Sequence, residues 1–134
     1  ELQDASVCRE EWKDSADVVL CDVPCSGLGI IRKKPEIRFK NPDEIRTLPE
    51  IQARILANCA QYVKKGGTLV YSTCTILQRE NEDVVRAFLT ENPEFEAVSW
   101  THPVCGERAD GMVTLLPPVH NTDGFFIAKM HRKV

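Results

Sequence analysis

The sequence predicts an α/β fold, a mainly parallel sheet with helices on its faces. Three observations carry this. Strand-like and helix-like segments alternate along the chain, strand–helix–strand–helix–strand, as in linked crossover units. The main strand segments are continuous apolar runs without polar alternation, which suits strands covered on both faces. The densest turn-forming peptides follow directly after strands, where an open parallel sheet places its ligand crevice.

Asp17-Val18-Val19-Leu20-Cys21 is the first such run and is expected to be a strand buried on both faces. It stops at the turn-forming Asp22-Val23-Pro24-Cys25-Ser26-Gly27. Over 32–40 five basic residues meet one acid, and Asn41-Pro42-Asp43 has the cap-then-proline order of a brief helical turn. Thr47-Leu48-Pro49-Glu50 has the form of a capping box. Leu48, Ile51, Ile55, Cys59 and Tyr62 then recur at helical spacing, which predicts a helix over about 48–64 closed by Lys64, Lys65 and Gly66. Residues 67–73 read as a second buried strand. Glu80, Glu82 and Asp83 load the start of a second helix, whose apolar face is Val84, Val85, Phe88 and Leu89 and whose end is Pro93. Residues 94–100 read as a further strand, 101–122 as loop with 113–116 extended, and 124–130 as the last strand.

Of the 134 residues, 43% are hydrophobic and 28% charged, which suits one globular domain and excludes a low-complexity chain. The formal net charge of −3 supplies no bulk positive field, so a nucleic-acid partner needs a local patch. The apolar runs fall far short of the ~20 residues that span a bilayer, and no signal segment opens the chain. A cytoplasmic protein without a membrane partner is expected. Its opening residues read as the end of a strand entering a loop, as in a chain that starts within something larger.

The six cysteines stand at 8, 21, 25, 59, 74 and 105, with no Cys-x-x-Cys pair, so no metal site is expected and the thiols read as reduced. Cys25 and Cys74 differ from the rest because each sits in a loop just after a strand. Right-handed crossovers place those two loops side by side, with Asp22 beside them. An ordinary thiol is only a few per cent thiolate at neutral pH, and a helix N-terminus or a cation raises that fraction. On the residues alone, a thiol nucleophile and a pair of structural cysteines are equally open. A thiol hydrolase using His120 has no spacing in its favour.

At these residues the sequence resembles the S-adenosylmethionine-dependent RNA (cytosine-5) methyltransferases. Asp22-Val23-Pro24-Cys25-Ser26-Gly27-Leu28-Gly29 is similar to their Asp-Ala-Pro-Cys-Ser-Gly-x-Gly motif. Ser72-Thr73-Cys74-Thr75 with Glu80-Asn81-Glu82 is similar to their Ser-Thr-Cys-Ser and downstream Glu-Asn-Glu. Arg32-Lys33-Lys34-Pro35-Glu36-Ile37-Arg38 and the closing Asp123-Gly124-Phe125-Phe126 match in order and spacing. Val23, Phe39 and Thr75 replace the usual Ala, Trp and Ser. The bacterial Sun (Fmu) subgroup, which modifies small-subunit (16S) ribosomal RNA, is the nearest match.

The resemblance covers nearly all of 1–134. It implies the carboxyl-terminal half of a Rossmann-like class I methyltransferase sheet, with an antiparallel last strand. The family's Gly-rich cofactor loop falls upstream of Asp4, so S-adenosylmethionine is expected to bind this stretch alone weakly or not at all. Carried over residue by residue, Cys74 corresponds to the nucleophile and Cys25 to the thiol that assists product release. Asp22 corresponds to the acid bordering cofactor and cytosine, and Asp4 to an acid contacting the cofactor's adenine.

The chemistry explains the pair. Carbon 5 of cytosine is too electron-poor to take a methyl group directly, so a thiolate first adds to carbon 6 and makes carbon 5 nucleophilic. A carboxyl group near ring nitrogen 3 stabilises that adduct. DNA cytosine methylation, which attacks through the Pro-Cys thiol, leaves Cys74 without a role. Arg32, Lys33, Lys34 and Arg38 are the expected RNA phosphate contacts, with a solvated loop as the alternative. A non-catalytic RNA-binding module and a tRNA substrate are the other readings. A first strand lacking an outer neighbour would expose an apolar edge and favour self-association.

Overall fold

Two parallel strands and the helix between them build the frame. In the computed structural model, which describes residues 2–134, β1 spans Ala16–Asp22 and β2 Val63–Thr73, joined through helix α1, Pro42–Ala60. There follow α2 (Glu82–Glu91), β3 (Phe95–Ala97), β4 (Trp100–His102), β5 (Gly106–Arg108), β6 (Met112–Leu115), α3 (Pro117–His120) and β7 (Phe125–Arg132). The sheet runs β1-β2-β7-β3, with β6 also paired to β7, while β4 and β5 form a separate ribbon. β1 and β2 are parallel, and β7 is antiparallel to β2, β3 and β6. The α/β class and the antiparallel last strand therefore stand as expected.

The core lies between the sheet and its two long helices. Leu56 of α1 and Val85 of α2 are fully buried against Leu69, Tyr71, Phe126 and Met130. Alternate residues of a strand face opposite ways. Cys21 is accordingly 2% exposed on the helix side, while Val18 and Leu20 are 63% and 67% exposed on the other face. This corrects the expectation of a first strand buried on both faces.

α1 also departs from its expected bounds. It starts at Pro42, six residues before the expected onset, because Asn41 caps it by accepting from the Asp43 N–H at 2.9 Å. Thr47 caps nothing, since its hydroxyl donates to the Glu44 carbonyl within the helix, and Pro49 lies inside. The helix stops at Ala60, so Lys64 and Lys65 belong to β2. Gly66 takes a left-handed φ of +79° in the stretch that bulges where the β1–β2 register shifts, not at a helix end. Residues 94–100 divide between β3 and β4, and the expected loop beyond them contains β5 and α3, while its stretch expected to be extended at 113–116 is β6. Among the described residues no helix is long and apolar enough to cross a membrane.

Candidate active site

The ends of the two parallel strands position the two thiols. β1 stops at Asp22 and β2 at Thr73, and the Cys25 and Cys74 sulfurs meet 3.1 Å apart across the loops that follow. Both are half-buried free cysteines. Glycines allow the close approach. Gly29 donates its N–H to the Cys74 carbonyl at 3.0 Å and accepts the Gly124 N–H at 2.7 Å. A Cβ on Gly29 would stand 2.0 Å from the Gly124 carbonyl oxygen, so no other residue fits without displacing backbone. The Pro-Cys loop, the Thr-Cys loop and the closing Asp-Gly-Phe-Phe segment thus touch at one point.

The thiols border a cavity of about 350 Å³ lined also by Gly27, Ile30, Lys34, Glu36, Ile37 and Lys40. That is the lower end of the usual range for small-molecule pockets. Burial, and then the contact with Cys74, pushes the Cys25 thiol up to about 12. Cys25 therefore stays protonated at neutral pH. Cys21 and Cys59 form a second interacting thiol pair inside the fold, in which Cys21 is shifted up by its contact with Cys59 and by burial.

The expected acids are placed unequally. Asp22 is exposed at the carboxyl end of β1, one oxygen accepting the Ser72 hydroxyl at 2.8 Å. Asp4 makes its contacts within its own turn, accepting the Ser6 N–H at 2.9 Å and hydroxyl at 2.7 Å. The Ser6 backbone bond, then the hydroxyl, hold its carboxyl below the ordinary value.

The basic residues separate by partner. Arg32 and Lys33 pair with Asp123, which is nearly buried and whose carboxyl is held low first by the Lys33 hydrogen bond. Lys34 lines the cavity, whereas Arg38 donates to the Pro35 carbonyl and lies against the exposed ring of Phe39. Three residues were given no place in the site from the sequence: Lys40, Gln52 and Glu80. Lys40, whose ammonium donates to the Ser26 carbonyl at 2.9 Å, stood only as the end of the basic stretch, and Glu80 only in the Glu-Asn-Glu resemblance and at a helix start. Glu80 is not a solvated acid loading a helix start but is wholly buried. The available signal for Gln52 was a polar side chain on the apolar stripe of α1. Among the described residues no group of three or more His, Cys, Asp or Glu is placed to hold a metal ion.

Comparison with known proteins gives a consistent picture. Residues 2–131 match the family described as 16S rRNA methyltransferase RsmB/F. The chain is 44% identical to the Bacillus subtilis protein named "Probable ribosomal RNA small subunit methyltransferase B", over 99% of this chain and 31% of the relative. A crystal structure of PH0851 superposes with a TM-score of 0.89 at 37% identity, over 97% of this chain and 30% of that one. A crystal structure of NSun6 from Pyrococcus horikoshii with SFG superposes with a TM-score of 0.78 at 26% identity, over 97% of this chain and 33% of that one. The chain spans about a third of the length of each.

Proposed function

The chain belongs to the 16S rRNA methyltransferase RsmB/F family, and from that membership we propose that it carries the thiol chemistry of an enzyme that methylates carbon 5 of a cytosine in RNA, small-subunit ribosomal RNA being the substrate. The observation that carries this reading is the contact of Cys25 and Cys74, 3.1 Å apart beside a cavity with lysines on its wall.

The two sulfurs take different parts. Cys74 adds to carbon 6 of the ring, and the electron pair displaced toward carbon 5 makes that carbon nucleophilic. Asp22 supplies a carboxyl for ring nitrogen 3. When solvent water takes the carbon-5 proton, the double bond re-forms and the bond from carbon 6 to the Cys74 sulfur breaks, its electron pair returning to sulfur. Cys25, protonated and in contact with that sulfur, donates a hydrogen bond to the departing thiolate. A protonated thiol is the wrong state for the attack itself, which argues against Cys25 as the nucleophile.

The exposed Asp22 carboxylate, steadied by Ser72 at a strand end, fits a ligand that bears hydroxyl or amino groups. Bound there, S-adenosylmethionine would supply the methyl group. The SFG of the NSun6 structure, an analogue of S-adenosylmethionine, supports that choice of cofactor. Lys34 and Lys40 on the cavity wall, with Arg32 and Lys33 anchored on Asp123, form the local cationic patch that RNA phosphates need.

The test uses the protein as it occurs in the cell and RNA carrying 5-fluorocytosine, which holds the covalent adduct. Cys74→Ala should abolish turnover and adduct together, whereas Cys25→Ala should let an adduct accumulate on unmodified RNA. An adduct formed by the Cys74→Ala protein would overturn the assignment. Neutralising Arg32, Lys33 and Lys34 together should weaken RNA binding with little sequence preference and flatten its salt dependence. An unchanged salt slope would return these residues to a purely structural part.

A further inference from the structure

We propose that Glu80 is the positioning residue that holds Cys25 and Cys74 in contact, an inference whose catalytic consequence rests on the reading above but whose geometry does not. Glu80 is fully buried, and among the described residues its carboxyl oxygens meet neutral donors only. One oxygen accepts the Ser26 N–H and the Gln52 side-chain amide, each at 2.9 Å. The other lies 2.6 Å from the Ser26 hydroxyl and 3.2 Å from the Thr75 hydroxyl, which are themselves 2.7 Å apart.

Ser26 immediately follows Cys25, and Thr75 immediately follows Cys74. A single carboxyl group thus binds the chain next to each thiol, across 49 residues of sequence. The far side of each cysteine is held from the same place. Gln52 also donates to the Pro24 carbonyl at 3.0 Å, and Asn81, adjoining Glu80, accepts the Thr73 hydroxyl at 2.6 Å and donates to the Thr75 carbonyl at 2.9 Å. The Tyr71 hydroxyl fixes the Glu80 backbone by donating to its carbonyl at 2.6 Å.

A buried carboxyl with no cation is costly compared with an apolar side chain, so stability alone gives this position no reason to be Glu. What the carboxyl adds is geometry. It ties two independent loops to one rigid point and so sets the separation of their sulfurs. Glu80 touches neither thiol and acts through Ser26 and Thr75.

The experiment needs neither RNA nor cofactor, so failure of the methyltransferase reading leaves its outcome intact. The 134-residue chain is treated with diamide, a diazene that takes one hydrogen from each of two thiols, becoming a hydrazine as the disulfide forms. The Cys25–Cys74 disulfide is followed by peptide mapping. Glu80→Ala should slow its formation by about tenfold or more, because the sulfurs lose their preset approach. Glu80→Gln should restore most of the rate, since its oxygen can accept from Ser26 and Gln52 while its NH2 group donates to the two hydroxyl oxygens. Val85→Ala, a cavity variant in the same core, should lower the melting temperature without slowing the disulfide. In the methylation assay Glu80→Ala should lower kcat and leave the KM for RNA unchanged. A wild-type disulfide rate in Glu80→Ala, or an equal slowing in Val85→Ala, would overturn the proposal. Should Glu80→Ala not fold, the Ser26→Ala, Thr75→Val double variant removes the clamp from the loop side and is judged by the same rates.

Discussion

Cys25 and Cys74 occupy equivalent places at two strand ends, and burial acts strongly on Cys25. Its thiol ionises near 12 in the fold against 9.0 for an ordinary cysteine, with burial the first cause and the Cys74 contact the second. Its alkylation rate by iodoacetamide should therefore keep climbing with pH beyond 9, where an ordinary thiol levels off; a plateau at pH 9 would contradict the shift. The sign also fixes the effect on folding. A raised thiol pKa contributes stability below pH 9.0 that is lost as pH rises toward 12, so chemical denaturation should show the fold weakening over that window. At this scale Cys25, Cys74 and Asp22 were legible because turn residues after apolar runs mark a crevice before any family is considered. Glu80 was not, since an acid at a helix start already has a sufficient surface explanation in the dipole. Its true partners, Ser26 and Thr75, come from two other segments that no local pattern links to it. Arg32 and Lys33 were legible as cations but not as the partners of Asp123, ninety residues away in sequence or more.

At the scale of elements, α1 shows how two valid local signals compete. Asn41-Pro42 and Thr47-Leu48-Pro49-Glu50 both have the form of a helix start, and only one can begin a continuous helix. Asn41 prevails, so the missing N–H of Pro49 falls in the helix interior, where proline is ordinarily disfavoured. The earlier start lets one helix reach from the cavity-lining segment, which ends at Lys40, to the core at Leu56. It also carries Gln52 to the thiol loops. The two candidate caps are separable by mutation. Asn41→Ala should cost about 1 kcal/mol of stability, the usual loss for an N-cap, while Thr47→Ala should stay within about 0.5 kcal/mol. Urea denaturation of the two variants checks this, and the reverse order would place the helix start at Thr47. The existence of the helix was legible from its apolar stripe. Its onset was not, because sequence spacing does not say which cap the surrounding structure completes.

At the scale of the whole fold, the parallel pair that builds the site also ends the described sheet. Among the described residues β1 has a neighbour on one edge only, and the face of β1 turned from the helices presents Val18 and Leu20 to solvent. An unpaired edge beside exposed apolar side chains is a template for another strand, and charged residues are the usual protection against it. The acid next to this patch, Asp22, already binds Ser72, and Asp17 pairs with Lys64, so neither is an unengaged charge at the edge. At this scale we predict that a second copy of this chain pairs with that edge. The 134-residue chain should therefore show concentration-dependent dimers in sedimentation velocity, and Leu20→Lys should shift it to monomer by placing a cation that cannot be buried there. Because Leu20 projects away from the core formed by Cys21, Leu69 and Tyr71, that substitution should leave the melting temperature nearly unchanged. A monomer at every concentration would show that twist or the flanking loops already close the edge. A Leu20→Lys protein that still dimerises would move the contact elsewhere on the surface.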